Sequence, residues 1–442
     1  MNQKLRILML FIILAASQLF ILFFHQWLLG LLLIISAIVV SFWGRVVSYA
    51  KDVHWFKLSN LRYLFLTAGI FLAIFGGLTV DANPVRAIYF FIIGGLLIYY
   101  SVVKGVDICP PGFIENGEKQ KFSKWELLYM VAALISCYFL YFYKLSDIPQ
   151  GAAFHEGVMS IHTKGMSSHN FVMYVADSQA NWSSFVFYQG YIFNRIFGWN
   201  IGSLRIPSAI YSTLTVICLY FLMRKLTSPL TAFITSALFM VCGANISVAR
   251  QFYPVSVLFL PPLLGFYFIL EGVSAKKWYY FVFSGIACGV SLLGYLPGRT
   301  CVLILLLWMV FAFMVMRKMN YLKYLPAFLA AYVITAWPVI YSSIINPVLV
   351  WGYVGFVDVN RNAGIFSRIS QFVSQIVPQA QLFFTSGDME NIIKTGWTPI
   401  LDNEPLIKIL FPAGLVIILL SFFRLVPMYM LLFLVLALLP SM

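Results

Sequence analysis

The polar residues that could do chemistry are few, and most follow an apolar run. One group is the stretch Asp147-Ile-Pro-Gln-Gly-Ala-Ala-Phe-His155-Glu156. A carboxylate just beyond a membrane helix can act as a general base or as a metal ligand; it can equally be a solvated loop acid. His155, His162 and His169 recur at intervals of seven residues. On a helix they would share a face, with Glu156 beside the first, and such a set suits a divalent transition metal. Seven residues span about 10 Å of helix, so three ligands on one ion would need the chain to fold back, at Gly165 or at Ser167-Ser168. Histidines lying at a membrane interface are the plainer reading. A second group is Arg205, Arg250 and Arg299, each set in apolar sequence. Arginine at membrane depth is costly and points to function, and its planar fork of donors suits phosphate. Snorkelling to lipid headgroups is the alternative. The third group is Ser386-Gly387-Asp388, which also reads as a turn.

These residues must be positioned by membrane helices. Of 442 residues 62% are hydrophobic and 10% are charged, against about half and a quarter in soluble domains. This excludes a soluble enzyme, a disordered chain and a peripheral protein. Apolar runs of spanning length lie at about 5–24, 27–43, 62–80, 86–103, 125–143, 205–223, 229–248, 253–270, 278–296, 300–316, 322–344, 406–423 and 425–440. The reading is an all-α polytopic membrane protein of about thirteen transmembrane helices, since an isolated strand cannot satisfy its backbone in lipid. The first run is closely followed by a second and has no small-residue cleavage site, so it reads as half of a hairpin and not as a signal peptide.

With the N-terminus in the cytoplasm and alternating spans, the inner segments hold 18 of the 29 basic residues and six of the 15 acidic ones. That bias sets orientation, and it explains the net charge of +14 without nucleic acid, for which no Lys/Arg-rich tract exists. Stretches 144–204 and 345–405 then form two long outer-face loops. Their aromatic content predicts short interfacial helices, such as Trp182 to Phe197. The six cysteines are scattered, mostly within apolar runs, and predict neither a disulfide framework nor a thiolate zinc site.

From about residue 125 to 442, the order of these pieces resembles the GT-C glycosyltransferases of the family 39 type, which include protein O-mannosyltransferases and aminoarabinose transferases acting on lipid A. The residues that carry the resemblance are Pro149-Gln-Gly151 followed by His155-Glu156; Phe197-Gly198 and Leu204-Arg205-Ile-Pro207-Ser-Ala; Arg250; Tyr295 to Arg299; and Gly387-Asp388 running through Pro399 to Glu404. The resemblance implies inverting transfer of a sugar from a polyprenyl-phosphate donor to a hydroxyl of a lipid, glycan or protein acceptor on the outer, periplasmic or extracellular, face. It implies no required cofactor, with a divalent metal at His155 and Glu156 as an alternative. Arg205, Arg250, Arg299 and Tyr295 would hold the carrier phosphate, and Asp388 belongs to the last outer loop.

Where the family has Asp in its Asp-Glu pair, this chain has His155. The base is then Glu156, Asp177 or His155, or activity is lost. Residues 1–124 read as a four-helix extension and 125–442 as the core. The chain ends at Pro440-Ser-Met442, where such proteins commonly continue, which implies a truncated frame or a shorter subtype. Competing readings are a catalytically inactive lipid-linked glycan carrier or flippase on the same scaffold, and a transporter. Transporters show paired repeats and interrupted helices near the midplane; the sequence shows no internal symmetry and no carboxylate deep inside a span.

Overall fold

The computed structural model describes residues 58–79, 84–103, 123–149, 154–166, 174–176, 181–295, 298–315, 319–345, 405–420 and 427–432. The expected runs at 5–24 and 27–43 and the outer loop 346–404 lie outside them. The described chain is helical apart from one short hairpin: β1 (Tyr174–Ala176) pairs antiparallel with β2 (Asn181–Ser183). Trp182 therefore lies in a strand, and the interfacial helix expected from Trp182 begins at Phe185.

The helices fall into two compact units. In the first, α1 (Leu58–Thr79) packs on α2 (Pro84–Ile98), which runs on into a π turn at Tyr99–Val103. The last helix of the chain described at length, Pro405–Leu420, joins them through Ile409 and Ala413 against Ala73.

The second unit holds α3 (Lys124–Cys137, extended by a π turn Tyr138–Phe142), α4 (Phe154–Gly165), α5 (Phe185–Phe197), α6 (Ile201–Leu226), α7 (Pro229–Val241), α8 (Gly243–Ala249), α9 (Ser256–Ala275), α10 (Tyr279–Gly294), α11 (Arg299–Val315) and α12 (Leu325–Ile345); Pro405–Leu420 becomes α13. Several starts are encoded locally. Ser123 and Glu126 form a capping box on α3, Asn200 and Ser203 do so on α6, and Ser228 caps α7 ahead of Pro229, each satisfying amides that the first turn leaves open.

Among the described residues, four helices are long and apolar enough to cross a membrane, and a fifth candidate is the bent pair α7–α8; the full set of about thirteen is not reached on these residues. The apolar surface fits a lipid solvent: Ile334 on α12 is 75% exposed. Helices α10 and α12 pack backbone to backbone. A Cβ added at Gly285 would sit 2.2 Å from the Phe328 carbonyl oxygen, and one at Gly289 would sit 2.5 Å from Thr335 Cβ. This small-xxx-small spacing is how membrane helices gain close contact without a hydrophobic driving force. The core of this unit centres on Trp308, Phe266, Phe281 and Phe313, with Tyr429 stacked on Phe266 at 3.9 Å.

The two ends of this helix set differ. At one end Glu126 pairs with Arg224 and accepts from Tyr220, while Lys225 pairs with Glu271 at 3.0 Å. At the other end the chain segments around 140–156, 200–205 and 249–256 meet. Successive long helices thus run in alternating directions. Among the described residues, five cysteines (Cys137, Cys218, Cys242, Cys288, Cys301) stand outside any disulfide.

Candidate functional site

The site is built on a stretch of chain that has left its helix. The π turn at Tyr138–Phe142 ends with Tyr143 extended, and Lys144 adopts the left-handed conformation at φ 49°. From there to Pro149 the chain makes a single turn, in which the Asp147 and Ile148 N–H groups donate to the Lys144 carbonyl at 3.0 Å, and the other buried carbonyls must find partners outside a helix. Two arginines from distant parts of the sequence supply them. Arg250 Nη1 donates to the Leu140 carbonyl at 2.7 Å, Nη2 to those of Tyr143 and Lys144 at 2.6 and 3.3 Å, and Nε to that of Ile148 at 3.1 Å. Arg205 Nη1 donates to the carbonyls of Leu145 and Pro149 at 2.9 and 3.1 Å. Six carbonyls are thus gathered by two guanidinium groups.

The rest of Arg205 faces Glu156. Its Nε meets Oε1 at 2.7 Å and its Nη2 meets Oε2 at 2.8 Å, a bidentate pair of the strong, charge-assisted kind. The Phe252 backbone N–H also donates to Oε1, at 2.8 Å. Glu156 is 2% exposed and Arg205 0%. Each ion compensates the desolvation of the other, so removal of either is far costlier than replacement of both. Arg250 lies in the same electrostatic field. Burial and the neighbouring Arg205 charge lower its pKa, though arginine stays charged at any working pH.

Arg250 closes α8, and α8 exists because a membrane span breaks. The run 229–248, expected as one helix, bends by 61° between α7 and α8. The break frees carbonyls at membrane depth, which is tolerated only where protein groups satisfy them. The Tyr141 hydroxyl donates to the Met240 carbonyl at 2.8 Å, and Asn245 Nδ2 donates to the Phe239 carbonyl at 3.3 Å and to Tyr141 Oη at 2.6 Å. All of this is buried: Tyr141 is 0% exposed and Asn245 3%. The sequence signal for the break was the Gly243-Ala-Asn245 triplet inside an apolar run.

With this geometry in hand, one comparison with known families bears on the chain. Residues 184–351 match the model of the family described as dolichyl-phosphate-mannose-protein mannosyltransferase. The match bears out the resemblance drawn from motif order and supports a glycosyltransferase of the GT-C type, a multi-pass membrane protein. No curated protein and no solved structure matches the chain.

Of the residues singled out in sequence, Arg205, Arg250, Tyr295 and Arg299 fall within the mannosyltransferase match, while His155 and Glu156 precede it. The structure brings Glu156, Arg205 and Arg250 together. Each arginine makes at least four hydrogen bonds to protein groups, and both Glu156 oxygens accept. Tyr295 caps α10 and its ring lies 6.4 Å from that of Tyr253. Arg299 opens α11. His155 stands in the first turn of α4 beside Glu156, and His162 lies two turns on, its ring against Phe187 at 5.7 Å. Among the described residues no group of three or more His, Cys, Asp or Glu is placed to hold a metal ion. His169, Asp177 and Asp388 lie outside the described residues. The sequence reading missed Tyr141 and Asn245, and it missed the pair Gln189 and Tyr211 described below.

Proposed function

We propose that this protein transfers a sugar from a polyprenyl-phosphate donor to an acceptor hydroxyl on the outer membrane face, with inversion at the anomeric carbon. The observation that carries the reading is the mannosyltransferase match over 184–351, with the Glu156–Arg205 pair and Arg250 gathered at one end of the helix set. The Lys/Arg bias favours the outside for that end.

In the reaction a base takes the acceptor's proton, the oxygen attacks the anomeric carbon, and polyprenyl phosphate leaves. Glu156 is poorly suited to be the base, because its oxygens are committed to Arg205 and to the Phe252 amide; it positions α4. The base role falls to His155, which holds the place of the family's Asp and has a near-neutral ordinary pKa. Arg299, at the head of α11, is the residue for the carrier phosphate: a helix N-terminus and a guanidinium both favour an anion. Arg250 adds its charge, which among the described residues meets backbone carbonyls alone. No metal or organic cofactor is needed for this chemistry.

The test is incubation of the purified protein with polyprenyl phosphate carrying mannose, glucose or galactose, scoring release of polyprenyl phosphate. Activity should fall below about pH 6.5 as an imidazole base protonates, and His155→Asp should move that limb to lower pH. His155→Ala should lose about 10²–10⁴-fold in turnover. Release of polyprenyl phosphate from none of the donors would end the reading.

A further inference from the structure

A second polar centre lies between α5 and α6, and the reaction as proposed leaves it unused. Gln189 on α5 donates from Nε2 to Tyr211 Oη on α6 at 2.7 Å. The other end of the amide, Oε1, is buried and has no hydrogen-bond partner among the described residues. Turning the amide end for end, an assignment made from its hydrogen bonds, exchanges the two atoms but still leaves one of them unmet. Buried polar groups in native proteins are almost always satisfied, and an exception calls for an explanation.

The surroundings supply one. Tyr188, Tyr211, Tyr253 and Tyr295 are partly buried against a cluster that includes Met159, Leu204 and Phe252. Phe252 is the residue whose amide binds Glu156. Gly190, next to Gln189, lies so close to it that an added Cβ would be 2.7 Å from Phe252 Cζ. Gln189 is therefore next in sequence to a residue packed on the Phe252 ring, and the backbone amide of that same Phe252 binds Glu156. An amide and a tyrosine hydroxyl side by side can both accept from and donate to one hydroxyl. The tyrosine rings packed against the same cluster as Tyr211 present flat apolar faces with polar edges. A few fixed polar groups in an aromatic wall is how a site orients a small polar ligand, and a ring bearing hydroxyls is the ligand that matches it.

The geometry points to Gln189 and Tyr211 as a specificity subsite for a hydroxyl of the transferred sugar, at the cluster against which Tyr188, Tyr253 and Tyr295 also pack. This rests on the reading of the chain as a sugar transferase using a lipid-phosphate donor. Neither residue touches the reacting bond in this proposal; together they select the sugar.

The test is direct binding to the full-length protein in detergent. The probes are polyprenyl phosphate alone and polyprenyl phosphate carrying mannose, glucose or galactose, with Gln189→Met and Tyr211→Phe as variants that keep shape and remove hydrogen bonding. The parent should bind at least one sugar-bearing carrier more tightly than polyprenyl phosphate. Each variant should lose about 3- to 10-fold of that preference, the usual worth of one neutral hydrogen bond, while holding polyprenyl phosphate at parental affinity. Equal weakening toward both kinds of probe would show a merely structural role and overturn the proposal. So would unchanged preference in both variants, or a parent that ignores the sugar. A variant effect confined to the acceptor's KM would overturn it as well. A parent that prefers a sugar-bearing carrier but never releases polyprenyl phosphate would end the transferase reading and leave the subsite standing.

Discussion

Glu156 and Arg205 offer the sharpest test of how this site is held. Both are buried, and each contributes two atoms to a bidentate contact at 2.7 and 2.8 Å. Deleting one partner strands the other charge in a low-dielectric interior, at a cost of about 3–5 kcal/mol. Glu156→Ala and Arg205→Ala should each show that loss. Glu156→Gln should be nearly as damaging, because its amide nitrogen would set donors against the guanidinium's own N–H groups and the charge would be gone. The double variant Glu156→Leu/Arg205→Met removes both charges and should recover much of the loss. Recovery will be incomplete, because Arg205 also serves the Leu145 and Pro149 carbonyls, at about 1 kcal/mol for each lost bond. At roughly 2–4 °C per kcal/mol, each single variant should melt about 6–20 °C below the parent. Intrinsic tryptophan fluorescence in detergent reads this directly. Either single variant melting within about 2 °C of the parent, or a double variant worse than the two singles combined, would refute the reasoning.

Three further outcomes follow from the same geometry. Arg250→Lys should loosen residues 143–149, because an ammonium has three donors radiating from one atom and cannot span four carbonyls; hydrogen exchange or limited proteolysis there should rise, and an unchanged pattern would remove the proposed staple. Tyr141→Phe should cost about 1–3 kcal/mol by orphaning the Met240 carbonyl, and in a double-mutant cycle with Asn245→Leu the two should couple by at least about 0.5 kcal/mol; strict additivity would deny the shared bond. On a background without native cysteines, Ser167→Cys and Thr385→Cys should react with an impermeant thiol reagent in intact cells, and labelling only after lysis would reverse the orientation.

Much of the helical layout was legible because a membrane span announces itself as an unbroken apolar run. The runs at 62–80, 205–223, 253–270 and 322–344 lie within or nearly coincide with α1, α6, α9 and α12. What composition cannot show is a change of backbone within a run. Thus 229–248 reads as one span, yet it bends after Val241, where Gly243 and Asn245 interrupt it. The hairpin at 174–183 escaped for a related reason: three-residue strands have too little periodicity to register. Glu156, Arg205 and Arg250 stood out as charges in apolar settings. Their partners did not, since six of them are backbone carbonyls, which have no signature in a sequence. Gln189 and Tyr211 are 22 positions apart on different helices, in stretches where a polar or aromatic residue is unremarkable.

The arginines also bear on how the backbone at His155 is held. The start of α4 is fixed by the residue beside it, through Glu156 to Arg205 on α6 and to the amide of Phe252 after α8. The segment leading into it is fixed by carbonyl contacts to Arg205 and Arg250. A guanidinium suits this task because its fork spreads five donors over a plane, enough to reach several carbonyls and a carboxylate at once. The backbone at position 155 is therefore held by groups that do not belong to His155. Substitution at 155 should leave this scaffold in place, whereas substitution at 156 must disturb it. On this arrangement the geometry around the start of α4 resides in Glu156 and the two arginines, and position 155 is the part that can change without disturbing it.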